Sequence, residues 1–87
     1  MVYVLDFTER AIEDISFHRK SGNKNLIKKI HQLLNDTLDH PFEGLGKPEA
    51  LKYDLLGFWS RRINKEHRIV YKVREERIII HSLKGHY

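Results

Sequence analysis

FWSRRINKEHRIVYKVR, Phe58 to Arg74, decides the fold of this chain. It reads as two strands joined by a turn at Asn64, Lys65 and Glu66, with six Lys/Arg against one acid, Glu66. In its second half Ile69, Tyr71 and Val73 alternate with Arg68, Val70 and Lys72. Side chains alternate between the two faces of a strand, so one face suits a core and the other an anion.

Outward from that stretch, the C-terminal half carries the charge. The 87 residues have a net charge of +4, but residues 1–50 hold seven Lys/Arg and eight Asp/Glu, whereas residues 51–87 hold nine and four. Such asymmetry favours a polyanionic partner, because each phosphate neutralised releases counterions; a solubilising surface is the competing explanation. The length predicts a single domain, 1–87, that must live on one continuous core. With no cysteine there is neither a disulfide framework nor a thiolate zinc site, and no stretch reaches the ~20 apolar residues of a membrane span. A cytoplasmic protein is expected.

The rest of the chain supplies a cover for the apolar face. A short strand is expected within Val2–Phe7, then a helix capped by Thr8 with Ala11, Ile12 and Ile15 inward and Arg10, Glu13 and Asp14 wet. Leu26, Ile27, Ile30, Leu33, Leu34 and Leu38 form a single helical stripe from about Lys24 to Leu38, the strongest periodic signal present. Residues 40–52, HPFEGLGKPEALK, break that period with two prolines and two glycines and read as a loop. A short strand near Lys52–Leu55 precedes Phe58–Ile63, His67–Val73 and Arg77–Lys84. The result is an α+β domain, β-α-α-β-β-β, with an N-terminal strand and a helix hairpin on one face of a mainly antiparallel sheet.

Three residue types in this pattern suit phosphodiester chemistry. Arg68, fixed on a rigid strand, offers paired donors to a phosphate; a solvated arginine on an open sheet face is the plainer reading. Arg61 and Arg62 point to opposite sides, so only one shares a surface with Arg68, and periodicity does not say which. Glu49, between Pro48 and Ala50, is a candidate base, though most loop glutamates are simply hydrated. His86 is a candidate proton donor; if the last strand stays regular it shares the parity of Ile78, Ile80, Ser82 and Lys84, yet a penultimate residue is more often unpartnered. Phe58, Trp59 and Tyr87 could stack on bases or, for the first two, pack inside. The six histidines show no metal-ligand spacing, and the glycines of the loop lack the Gly-Lys-Ser/Thr of a phosphate-binding loop.

Taken together, PFEGLGKPEALK, LLGFWSRRINKEHRIVYKV and the terminal GHY resemble the YoeB (Txe) toxins of the RelE superfamily, over nearly the whole chain. That resemblance implies a microbial-RNase/RelE-like fold. It also implies a ribosome-dependent endoribonuclease, an mRNA interferase of a type II toxin–antitoxin system. Messenger RNA would be cut in the A site of the 70S ribosome by attack of the 2′-hydroxyl on its own phosphate, with no metal or other cofactor. On this likeness Glu49 is the general base and Arg68 stabilises the phosphorane with help from Lys52. His86 protonates the leaving oxygen, and Tyr87 orders the tail or stacks on a base. A YefM/Phd-like antitoxin and a homodimer are implied, with no membrane and no DNA except through the toxin–antitoxin complex. Ala50 stands where proline is common in the family and Gly85 where an aromatic residue occurs. Two other readings share the basic strands: a non-catalytic RNA-binding or antitoxin-sequestered module, and a gyrase-directed relative.

Overall fold

The chain passes from strand to helix at Thr8, whose hydroxyl accepts the Ala11 N–H at 3.1 Å and donates to the His81 carbonyl at 2.9 Å. One side chain thus caps a helix and ties it to the last strand. The computed structural model describes residues 2–85. It comprises β1 (Val4–Phe7), α1 (Glu9–Lys20), α2 (Lys24–Asp39), β2 (Glu49–Ala50), a single 3₁₀ turn (Tyr53–Leu55), β3 (Trp59–Arg62), β4 (Arg68–Arg74) and β5 (Arg77–Ser82). The five strands form one sheet in the order β1-β5-β4-β3-β2. β1 runs parallel to β5 and every other pair is antiparallel.

The helix hairpin covers one face of that sheet, as the apolar stripes require. Ala11 of α1 and Ile30 and Leu33 of α2 meet Ile69, Tyr71, Ile78 and Ile80 in a single cluster that also takes in Ile63 and Leu83. Asn23 caps α2 through the Leu26 N–H at 3.0 Å. Asn64 closes the β3–β4 turn by accepting the Glu66 and His67 N–H groups, each at 2.8 Å, a side-chain mimic of a backbone turn. Among the described residues, no helix is long and apolar enough to cross a membrane.

Three expectations need correction. The strand expected at Lys52–Leu55 lies earlier, at Glu49–Ala50; Tyr53 adopts φ 58°, and Leu55 and Leu56 donate back to Lys52 and Tyr53, which coils the chain instead of extending it. Asp14 is buried, not wet, and Ile12, expected inward, is exposed. The parity of the last strand also breaks. Tyr71 pairs with Ile80 but Val70 with Ser82, so His81 is an extra residue in a β-bulge. From there the alternation is reversed: Leu83 lies fully buried in the core cluster, where regular parity would have turned it outward.

Candidate active site

The sheet register assembles the outer face. Arg62 pairs with Arg68 and Ser60 with Val70 across β3 and β4, and Glu49 of β2 pairs with Ser60. Directly paired residues share a face, so Glu49, Ser60, Arg62, Arg68, Val70 and Lys72 all lie opposite the helices. Arg62 and Arg68 are like charges directly across from one another, an arrangement that destabilises a sheet pair. Among the described residues neither forms an ion pair. Arg68 reaches Ser60 Oγ only at a long 3.5 Å. An anion seated between the two guanidiniums would offset that repulsion.

Glu49 and Lys52 flank the same edge. Both are exposed and line a depression of about 330 Å³ with Leu51 and Tyr53. From Glu49 to Arg68 is two strands across and two residues along, roughly 12 Å between Cα atoms. Two long side chains can converge over that gap on one phosphate group.

Arg61 takes no part in this face. Its side chain is 0% exposed on the helix side, and all five of its N–H donors are used. Nη1 binds Asp36 Oδ2 at 2.6 Å and the Leu45 carbonyl at 2.9 Å, Nη2 binds the carbonyls of His40 and of Glu43, the latter at 2.8 Å, and Nε reaches the Tyr71 hydroxyl at 3.2 Å. Tyr71 in turn donates to the Pro41 carbonyl at 2.7 Å. Burial alone would raise the Asp36 pKa, but the bond from Arg61, the Leu45 N–H and the nearby positive charge bring it below the usual carboxylate range. Burial raises that of Tyr71, with Arg61 opposing. Arg61 therefore pins residues 40–46, the loop that delivers Glu49; of the two adjacent arginines expected near the site, Arg62 shares the Arg68 face and Arg61 is turned away from it. Gly46 completes the pin: its carbonyl accepts the Arg62 N–H at 2.7 Å, and a Cβ there would lie 2.8 Å from Leu33 and 3.0 Å from the Arg62 carbonyl.

His86 and Tyr87 lie outside the described residues. The residue before them is fastened beside Arg68, since the Gly85 carbonyl accepts the Arg68 N–H at 3.0 Å. The aromatics Phe58 and Trp59 divide between the faces: Trp59 packs on Phe42 with ring centroids 5.0 Å apart, and Phe58 meets His81 edge-to-face at 4.7 Å. Phe58, His81, Val70, Leu55, Thr8 and Arg10 line a cleft of about 540 Å³. Burial, and then Lys72, depress the His81 pKa.

Sequence reasoning did not single out His81, which lines the cleft beside Phe58, or Tyr53, which lines the depression beside Glu49. Tyr53 is 91% exposed at φ 58°, a large aromatic held outward by strained backbone beside Lys52. An aromatic next to a basic residue was the available signal. For His81 there was none, because a bulge has no local signature in HSLKG. Among the described residues, no three His, Asp or Glu side chains gather to hold a metal ion.

Comparison with known proteins bears on this geometry. The sequence model of a family described as "YoeB-like toxin of bacterial type II toxin-antitoxin system" matches residues 7–87. Toxin YoeB of Escherichia coli K12 is 45% identical over 83 residues, covering 95% of this chain and 98% of the relative. The YoeB dimer from Staphylococcus aureus superposes with a TM-score of 0.87 at 42% identity. A heterotetrameric YoeB-YefM toxin–antitoxin complex from the same organism gives 0.85 at 42% identity. Both alignments cover 100% of each chain.

Proposed function

Since this chain belongs to the YoeB-like toxins of bacterial type II toxin–antitoxin systems, we propose that it acts as a ribosome-dependent endoribonuclease on messenger RNA in the A site. The observation that carries this reading is one shared face: Glu49, Arg62 and Arg68 stand opposite the helices, and the backbone just before His86 is bonded to Arg68.

The reaction is a transesterification followed by release. Glu49 takes the proton of the 2′-hydroxyl, and that oxygen attacks the adjacent phosphorus. Charge grows on the phosphorane oxygens, where Arg68 supplies two N–H donors, with Arg62 and Lys52 beside it. The P–O5′ bond breaks as His86 protonates the departing oxygen, leaving a 5′-hydroxyl and a 2′,3′-cyclic phosphate, or a 3′-phosphate after hydrolysis. Tyr87 orders the tail or stacks on a base. General base and general acid steps each supply about 10² to 10⁴ in rate, and the arginine several kcal/mol more, so side chains alone suffice.

The S. aureus relative assembles with YefM and as a dimer, which supports a YefM/Phd-like antitoxin and a homodimer for this chain. The antitoxin covers the basic face and displaces the tail that carries His86. Action on ribosomes places the protein in the cytoplasm. Primer extension on a translated message tests the reading. The wild type should give discrete cuts within codons, and Arg68→Ala or His86→Ala should lose about 10²-fold or more in cutting while still binding ribosomes. Full cutting by either variant would refute the assigned roles, and intact transcripts with the wild type would refute the nuclease.

A further inference from the structure

The end of the described chain is held at four points. Leu83 is fully buried; its N–H donates to Asp14 Oδ2 at 2.9 Å and its carbonyl accepts from His18 Nε2 at 2.7 Å, so α1 grips it on both sides. Two residues on, the Gly85 N–H donates to His67 Nδ1 at 2.8 Å and its carbonyl accepts the Arg68 N–H at 3.0 Å. Gly85 turns there at φ 76°, a conformation that glycine enters without the Cβ penalty.

These partners assign a proton to one ring nitrogen of His18 and a lone pair to one of His67. A carbonyl only accepts, so His18 carries a proton on Nε2, and its buried Nδ1 has no hydrogen-bond partner among the described residues. A backbone N–H only donates, so His67 must present a bare Nδ1 to Gly85 and is neutral. The two rings meet edge-to-face at 4.8 Å. A proton on His67 Nδ1 would set donor against donor at Gly85 and place a cation against His18.

We propose that His67 is a positioning residue for the catalytic tail: its neutral ring latches Gly85 beside Arg68, and protonation releases the segment that leads to His86. The consequence for cleavage rests on the nuclease reading, whereas the latch itself does not. The charged and titratable groups facing His67 are His18 and Asp14 from α1, Glu66 from the turn and Lys84 from the tail. Burial lowers its pKa first, His18 and Lys84 push the same way, and the Glu66 carboxylate at 3.9 Å and Asp14 oppose them. The latch is therefore closed at neutral pH and opens as pH falls through a value below the ordinary 6.5.

Two substitutions separate the latch from general packing. In His67→Asn the amide oxygen takes the place of Nδ1 and does not titrate; in His67→Leu the acceptor is gone. Amide hydrogen exchange at Gly85, corrected for intrinsic rates, should show protection in the wild type at pH about 7.5 and a loss of about tenfold near pH 5. His67→Asn should stay protected at both, and His67→Leu at neither, with global stability followed by denaturant unfolding. In single-turnover cleavage His67→Leu should be slowed about tenfold with ribosome affinity kept, and His67→Asn should restore the rate. Protection of Gly85 that survives in His67→Leu, or vanishes in a stably folded His67→Asn, overturns the latch. A wild type that cuts nothing refutes the nuclease reading, and the exchange data still decide the latch.

Discussion

Replacing Arg61 with lysine should cost this domain a large part of its stability although the charge is kept. The guanidinium spends five donors on Asp36, the carbonyls of His40, Glu43 and Leu45, and the Tyr71 hydroxyl. An ammonium has three, so at least two acceptors go unpaired. Hydrogen bonds to charged groups are worth about 1.5–3 kcal/mol each, which gives roughly 3–6 kcal/mol. Asp36 keeps 21% of its side chain exposed and water can partly replace Arg61 there, so the lower half of that range, about 3–4.5 kcal/mol, is expected. Against a total of about 5–15 kcal/mol for a small domain, the variant should be marginal. Urea unfolding reads this directly through Trp59, the single tryptophan, whose ring sits 5.0 Å from Phe42 in the loop Arg61 holds. At a slope of about 1–1.5 kcal/mol per M, the midpoint should fall by roughly 2–4.5 M. A fall below about 0.5 M, with unchanged slope and Trp59 emission, would refute the view of Arg61 as the anchor of the loop.

Gly46→Ala should destabilise by about 1–3 kcal/mol in the same assay, because a methyl group meets Leu33 and the Arg62 carbonyl at a φ of 78°. Stability should be constant at neutral pH and decline as pH drops below 6.5. The depressed pKa values of His67 and His81 mean that the unfolded chain takes up those protons first, so their contribution is present above 6.5 and lost as pH falls through the folded values. Asp36 adds a second loss at lower pH: its contribution is present above 3.8 and disappears as pH falls through its lowered folded value, and Asp36→Asn should remove that step.

The helix hairpin was legible because Leu26, Ile30, Leu33 and Leu34 repeat at helical spacing, and β3 and β4 because their alternation is clean. The alternation also gave two faces, but not the side on which Arg61 lies. Its burial depends on acceptors from α2 and from residues 40–45, which no pattern within β3 encodes. Asp14 reads as a wet residue on a helical wheel because its partner, the Leu83 N–H, is 69 residues away. The tail was mis-registered for a similar reason: the bulge at His81 is chosen by which residues of β4 and β5 pair, and it turns Leu83 inward. Glu49 and Arg68 were legible as residue types, while their common face followed only from the pairing of Glu49 with Ser60.

The claim on which the account depends is that the message supplies its own nucleophile. A translated message with a single 2′-deoxynucleotide on the 5′ side of the scissile bond removes that oxygen and nothing else. The account predicts that such a message stays intact at that position while an all-ribose control is cut to a 5′-hydroxyl end. Cutting of the deoxy-substituted message at the same position and rate would contradict it.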